Sequence, residues 1–240
     1  MTAPVSPFKV ASVLLQYPTV ALFDGLGQLA EAVRAGPRAT QRPFGIFLDW
    51  LSGTSPDTVA RHYVETFDLP GGRGGSSPRR RQSRCVLYLT YYRYGDTRKR
   101  GMAMVAFKAA YRAAGLEPVK GEGESGGELP DYLPMVLDFA AAHPRGEALL
   151  RRHRADLELL LRALRSADSP YAGAVAGVCA VLPGLRRPDL ALVRRLVEEG
   201  PPEESVGLGE EPAPFAPPEY LAGVPLEAVP ADGVSVEGGR

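Results

Sequence analysis

Residues that could perform catalysis or hold a metal are few and form no recognised pattern. The three histidines have no metal-ligand spacing, and Cys85 and Cys179 are far apart and form no Cys-x-x-Cys pair. The glycine-rich run at 71–75 lacks the Lys-Ser/Thr of a phosphate-binding loop, and no serine lies in a nucleophile elbow. The sequence therefore predicts no catalytic residue, no metal and no cofactor.

Aromatic side chains suited to binding stand close together in the middle of the chain. Tyr91 and Tyr92 follow Tyr88 by three and four residues, which places the three side chains on one face if 86–94 is helical. Tyrosine combines a large apolar ring with a polar tip and few rotatable bonds, which suits a peptide groove. The alternative is that these rings pack in the core and hydrogen-bond to the backbone.

The elements that must position these residues have a helical pattern. Ser6-Pro7 and Ser55-Pro56 are typical helix starts, and apolar residues recur at helical spacing in most segments. The segment 86–94 has strand propensity, but no second strand candidate exists, so we predict a helix there. After Asp96-Thr97 we expect a further helix that contains the apolar residues Met102, Val105, Ala106, Ala109 and Tyr111. We predict an all-α domain of about nine helices over residues 1–199.

Three segments are predicted to be unstructured because they contain few apolar side chains. They are the Arg-rich insert 70–84, the Gly/Glu-rich 119–128 and the acidic tail 200–240. We interpret the tail as a solubilising appendage; the alternative is that it competes with a partner for the groove. Neither a signal peptide nor a membrane span is recognisable, so we expect a cytoplasmic protein with reduced thiols.

The charge distribution leaves a second class of function open. The formal net charge is zero, but bases crowd the region from Arg73 to Arg100 next to the tyrosines. Arginine and aromatic side chains together can bind RNA, so the alternative is a small helical RNA- or anion-binding module. Because the whole chain is neutral, we prefer a protein partner and predict no nucleic acid and no insertion into a membrane.

Three blocks of sequence resemble one known family. The blocks are Tyr63 to Asp68, Leu87 to Ala103 and Glu128 to Pro134. In this order and spacing they resemble the nitrate reductase molybdenum-cofactor assembly chaperones, the NarJ type of the TorD/DmsD-like redox-enzyme maturation proteins. The resemblance covers about Ser6 to Leu196, and its most specific part is the block Leu87 to Ala103.

This resemblance implies an all-helical protein without catalytic activity. It implies binding to the N-terminus of the nitrate reductase catalytic α subunit, which is held competent to receive its molybdenum cofactor and iron–sulfur cluster before membrane docking. We expect a monomer or a weak homodimer. The chain departs from the family at Tyr132, where a histidine is frequent, and in the long insert 70–84.

The resemblance and the residue pattern together predict a site that binds a partner helix in a groove. Tyrosines and a leucine would contact the apolar face of the partner, and aspartates would meet its basic residues. Arg98 has an alternative role, an ion pair with Asp68 or Asp131. The predicted site residues are Tyr63, Asp68, Tyr88, Tyr91, Tyr92, Asp96, Arg98, Asp131, Tyr132 and Leu133.

Overall fold

The structure, a computed structural model, describes residues 5–68, 85–116 and 128–202. The predicted all-α class is confirmed, because these residues form twelve α-helices, one π-helical turn and no strand. The helices are α1 Pro7–Leu14, α2 Val20–Asp24, α3 Leu26–Ala35, α4 Arg38–Ser52, α5 Pro56–Tyr63, α6 Tyr91–Tyr94, α7 Arg98–Arg112, α8 Leu133–Ala142, α9 Pro144–Arg152, α10 Arg154–Ser166, α11 Tyr171–Val181 and α12 Arg187–Glu199. The π-helical turn Val64–Asp68 follows α5 directly.

The first helix starts where the sequence predicts. The Ser6 side chain accepts a hydrogen bond from the Phe8 N–H (3.3 Å), and α1 begins at Pro7. The predicted count of nine helices is too low because two apolar stripes are interrupted. Gly25 separates α2 from α3, and His153 separates α9 from α10 within the leucine-rich segment.

The core forms where α11 lies against α4 and α1 against α8. Two glycines of α11 allow its backbone to approach α4 closely. A Cβ atom on Gly177 would lie 2.1 Å from the Phe44 ring, and one on Gly173 would lie 2.7 Å from the Pro43 carbonyl oxygen. Phe44 and Phe47 fill this contact and are fully buried. Small residues on one helix thus match aromatic residues on the other.

The predicted helix over 86–94 is wrong in its first half. Only α6 is helical there. Before it, the Leu89 N–H donates to the Asp131 carbonyl oxygen (3.1 Å), and the Leu133 N–H donates to the Leu87 carbonyl oxygen (2.7 Å). The partner segment before α8 is too short to give a strand pattern, and the pairing is an isolated antiparallel bridge.

The apolar residues expected in α7 do not share one environment. Met102 and Val105 are 63% and 56% exposed, whereas Tyr111 is buried together with Phe107. Aromatic side chains pack inward, and the stripe that contains Met102 faces outward.

Gly95 ends α6 in a backbone conformation that favours glycine, with φ of 56°. It also touches the last described residues. A Cβ atom at this position would lie 1.9 Å from the Pro202 carbonyl oxygen. The segment after α12 therefore packs on the end of α6.

The predictions for the insert 70–84, for most of 119–128 and for the tail beyond 202 lie outside the described residues. The proposed domain limit at 199 stays a prediction. Within the described ranges, no helix has both the length and the apolarity that a bilayer crossing requires.

Candidate partner-binding site

Three tyrosines that are at least partly exposed lie around a fourth that is buried. Tyr88 and Tyr132, joined by the backbone bridge, have ring centroids 5.6 Å apart. The Tyr132 and Tyr63 hydroxyls are 3.4 Å apart, and Tyr17 contacts Tyr63 edge-on at 5.5 Å. Tyr17 is 52% exposed, and Tyr88 and Tyr132 are partly buried. We call Tyr17, Tyr88 and Tyr132 the tyrosine surface.

Two carboxylates lie beside the tyrosine surface. The Tyr88 hydroxyl donates to Glu128 Oε1 (2.8 Å). Burial raises the pKa of Tyr132, and the negative charges of Glu128 and Asp68 raise it further. Burial, followed by the hydrogen bond to Glu128, raises the pKa of Tyr88. The phenols are therefore protonated at neutral pH, and the surface is uncharged in its middle and acidic at its rim.

A buried aspartate holds the backbone beneath the tyrosine surface. Asp131 is fully buried, and its Oδ2 accepts hydrogen bonds from the Thr90 N–H (3.1 Å) and the Thr90 hydroxyl (2.5 Å). Arg100 Nη2 lies 3.8 Å from the same oxygen, and its Nη1 pairs with Asp96 (3.0 Å). The Arg100 guanidinium also lies 5.3 Å from the Tyr88 ring centroid, a cation–π distance. Asp131 fixes the segment that carries Tyr88.

The cation beside Asp131 is Arg100, two positions after Arg98, for which an ion pair with Asp68 or Asp131 is the alternative role. Arg98 is exposed at the first position of α7. Helical spacing favours Arg100, because it follows Asp96 by four residues and the two side chains then meet on one face.

Four predicted contact residues lie in the core. Tyr63, Tyr91 and Tyr92 are at most 8% exposed, and Leu133 is 0% exposed. The Tyr92 hydroxyl accepts a hydrogen bond from the Val86 N–H (2.9 Å), which matches the core alternative for these tyrosines. A partner segment on the tyrosine surface would not touch them in this conformation. Their role is to support the surface.

The ten predicted residues thus fall into three groups. In the first group, Tyr88 and Tyr132 belong to the tyrosine surface, Asp68 lies at its rim, and Asp131 lies below it. The four core residues form the second group. Asp96 and Arg98 stand exposed at the start of α7.

Sequence reasoning missed Tyr17, Thr90, Arg100 and Glu128. Glu128 and Arg100 lie within the blocks that carry the resemblance, so they could have been added from position alone. Tyr17 could not, because its contact with Tyr63 is made across a long stretch of chain.

An aromatic cluster lies under Tyr63. Tyr63 contacts the Tyr171 ring at 5.8 Å, and His62 stacks on Tyr171 at 6.0 Å. Trp50, the single tryptophan, meets His62 edge-on at 5.4 Å and Phe47 at 5.5 Å. Burial lowers the pKa of His62, so this ring is neutral in the folded chain at neutral pH.

Neither a metal-ligand cluster nor a reactive thiol is present in the parts of the chain that the structure describes. No three His, Cys, Asp or Glu side chains there come together as metal ligands. Burial raises the pKa of the Cys85 thiol to about 12 and that of the Cys179 thiol to about 11. Both thiols are protonated at neutral pH, which makes them poor nucleophiles.

Comparison with known families decides the assignment. Residues 30–177 match the family described as nitrate reductase delta subunit. The chain belongs to this family. The match includes all three sequence blocks on which the resemblance rests, so the predicted family is confirmed.

Similar proteins in this family come from distant bacteria. The chain is 38% identical over 174 residues to the nitrate reductase-like protein NarX of Mycobacterium tuberculosis. The matched region covers 72% of this chain and 24% of that protein. It is 33% identical over 168 residues to the nitrate reductase molybdenum cofactor assembly chaperone NarJ of Escherichia coli, covering 68% and 64%. It is 28% identical over 168 residues to the probable NarJ of Bacillus subtilis, covering 69% and 82%. The matched part of the chain thus spans less than two thirds of the first two proteins.

Proposed function

We propose that the chain is an assembly chaperone, not an enzyme, for a nitrate reductase. It binds the N-terminal segment of the catalytic α subunit in the cytoplasm. It keeps the apo-enzyme competent for insertion of the molybdenum cofactor and the iron–sulfur cluster before the enzyme docks at the membrane. The names of the relatives in Escherichia coli and Bacillus subtilis support the chaperone role.

The observation that carries the proposal is the acid-rimmed tyrosine surface. A helix with one apolar face can lay that face on Tyr17, Tyr88 and Tyr132, whose rings offer apolar area at a small cost in side-chain entropy. Lysine or arginine residues on either side of that face would then meet Asp68 and Glu128. Such a surface suits a segment that is both amphipathic and basic.

The phenol of Tyr132 adds specificity to this contact. Tyrosine hydroxyls are protonated at neutral pH, and that of Tyr88 already donates to Glu128. The Tyr132 hydroxyl can donate to a carbonyl group at the end of a bound helix without adding charge. The negative charge of the site then comes from carboxylates alone.

The described part of the basic region gives the RNA-binding alternative limited support. Arg98 and Lys99 are exposed, but Arg100 uses its guanidinium on Asp96, Thr90 and Tyr88. The bases of the insert 70–84 lie outside the described residues. Phosphate binding would give a steep loss of affinity with salt.

The test is titration of the full chain with a labelled peptide of the α-subunit N-terminus. We expect the double substitution Tyr88→Ala and Tyr132→Ala to weaken binding by about tenfold or more, since two buried aromatic contacts are lost. Ile46→Ala, which removes an exposed apolar side chain of α4, is the matched control and should leave the affinity unchanged.

The acidic rim is tested separately. Asp68→Asn with Glu128→Gln should weaken binding by about threefold to fivefold at low salt, and the difference should shrink as salt rises because exposed charges are screened. Glu31→Gln on α3 is the control for a lost exposed carboxylate. Wild-type affinity in the tyrosine double variant would refute the assignment of the surface, and circular dichroism verifies that each variant is folded.

A further inference from the structure

The outer face of α7 is apolar and uncovered. Met102 is 63% exposed and Val105 is 56% exposed, and Ala106 and Ala109 continue the exposed stripe. Their spacing of i, i+3, i+4 and i+7 is that of one helix face. A contiguous apolar face of this kind on a folded protein marks an interaction site more often than a single exposed residue does.

The opposite face of α7 already attaches the helix to the protein. The Phe107 ring packs on His153 at 4.9 Å, and the Tyr111 ring packs on Phe139 at 4.6 Å. The Tyr111 hydroxyl also donates to the Pro130 carbonyl oxygen (3.2 Å). The fold therefore does not need Met102 and Val105, so their exposure calls for another explanation.

The charge of α7 narrows the choice of partner. The helix contains Arg98, Lys99, Arg100, Lys108 and Arg112 and no acidic residue. Three of these five bases occupy the first turn, where the positive end of the helix dipole disfavours cations. Asp96 pairs with Arg100. Lys99, Lys108 and Arg112 are exposed, and among the described residues they form no ion pair.

An acidic partner is the occupant that fits both features. A second copy of this chain would bring the same bases against this face, and like charges would oppose the contact. Nucleic acid would use the bases but leave Met102 and Val105 in water. An amphipathic helix with an apolar stripe and flanking Asp or Glu would cover the stripe and neutralise the bases.

We propose that the outer face of α7 is a docking surface for an acidic amphipathic helix of a partner protein. This docking surface goes beyond the proposed function, because it selects an acidic segment whereas the tyrosine surface selects a basic one. The chain then carries two surfaces that select segments of opposite charge. A client that presents a basic segment to one surface can present an acidic helix to the other, and two linked contacts bind more tightly than either alone.

The experiment uses a designed probe helix about 20 residues long, a length at which a peptide in water can be helical. It carries leucine at i, i+3, i+4 and i+7 and glutamate at the flanking positions, and a second probe has lysine at those flanking positions. Binding to the full chain is measured by fluorescence anisotropy. We expect the glutamate probe to bind at least tenfold more tightly than the lysine probe.

Substitutions then locate the contact. Met102→Gln with Val105→Gln should weaken binding of the glutamate probe about tenfold, and the helix should remain folded because both side chains are exposed. Ile46→Gln, at a site with 57% exposure on α4, is the matched control and should have no effect. Lys99→Glu with Lys108→Glu should shift the preference towards the lysine probe. The tyrosine variants Tyr88→Ala and Tyr132→Ala should bind the glutamate probe normally.

Four outcomes overturn the proposal. The first is equal binding of the two probes, and the second is an equal loss for the Ile46 control. The third is a chain dimer in sedimentation that the Val105 substitution separates, since the occupant would then be a second copy. The fourth is binding of polyuridylate that needs Lys99 and Lys108 but is insensitive to the Val105 substitution. Failure of the α-subunit peptide to bind would affect only the proposed function.

Discussion

Asp131 and Asp156 are both completely buried carboxylates, but they hold different kinds of partner. Asp131 accepts hydrogen bonds from the backbone N–H and the hydroxyl of Thr90, with a cation farther away. Asp156 Oδ2 lies 2.9 Å from Arg93 Nη2 and 2.8 Å from His153 Nδ1. In both residues Oδ1 has no hydrogen-bond partner among the described residues.

The difference shows how an irregular segment is held in a helical protein. Before α6 the chain lacks the hydrogen bonds of a helix, and Asp131 supplies an acceptor to its backbone. Asp156 lies in the first turn of α10, and its contacts are with side chains, so it attaches α6 through Arg93. One aspartate therefore shapes the binding segment, and the other ties it to the core.

The largest expected effect is that of Asp131→Ala. The substitution leaves the buried Thr90 N–H without its acceptor and removes the carboxylate that lies 3.8 Å from Arg100 Nη2. Breaking a buried pair costs about 3–5 kcal/mol of unfolding free energy. Urea denaturation measures this cost. Asp131→Asn keeps one acceptor oxygen and should lose less. Asp96→Ala removes an Arg100 partner whose side chain is 72% exposed, so it is the control. If both alanine variants lose equal stability, Asp131 does not have this role.

Asp156→Ala should have a smaller effect, about 3 kcal/mol, at the lower end of the cost of breaking a buried pair. The Arg93 side chain is 25% exposed and can regain water. The comparison becomes sharper when binding is measured in the same variants. We expect Asp131→Ala to weaken the α-subunit peptide as well, and Asp156→Ala to leave the peptide affinity unchanged. Loss of peptide affinity in both alanine variants would mean that the two carboxylates support the binding segment together and do not have separate roles.

The smallest expected effect is on the pH dependence of stability and involves His62, which is half-buried. Burial lowers the pKa of His62 below its ordinary value of 6.5, although Glu65 opposes the shift. As the pH falls below about 6.5, the unfolded chain binds a proton that the folded chain does not, so this contribution to stability is present above that pH and lost below it. His62→Gln should therefore flatten the loss of stability between about pH 7 and pH 5. Parallel curves for the two proteins would contradict this.

How much of this could be predicted depends on the range of the contacts. Ser6 and Pro7 define a helix start within three residues, so the sequence alone is sufficient there. Tyr88 has the residue type of a helix face or a strand, and only its pairing with Tyr132 decides its conformation. That pairing joins segments more than forty residues apart, and pattern reasoning has no access to it.

The candidate site shows the same limit in its charges. Asp131 stands out as a functional aspartate in the sequence, but its complete burial depends on Thr90 and Arg100, which come from another segment. The exposure of the outer face of α7 could not be predicted for a related reason. Met102 and Val105 look like core residues by type, and only the packing of Phe107 and Tyr111 shows that the other side of the helix faces inward.

Trp50 gives the aromatic cluster a spectroscopic consequence. It is the single tryptophan of the chain, and it touches His62 and Tyr171, which in turn touches Tyr63. Excitation of indole therefore reports on one small volume directly below the tyrosine surface, without a label or an added fluorophore. Neighbouring tyrosines can transfer their excitation to it, and a protonated imidazole at this distance would quench it. Emission from the unmodified protein is thus an optical signal for events at this surface and for the ionisation of His62.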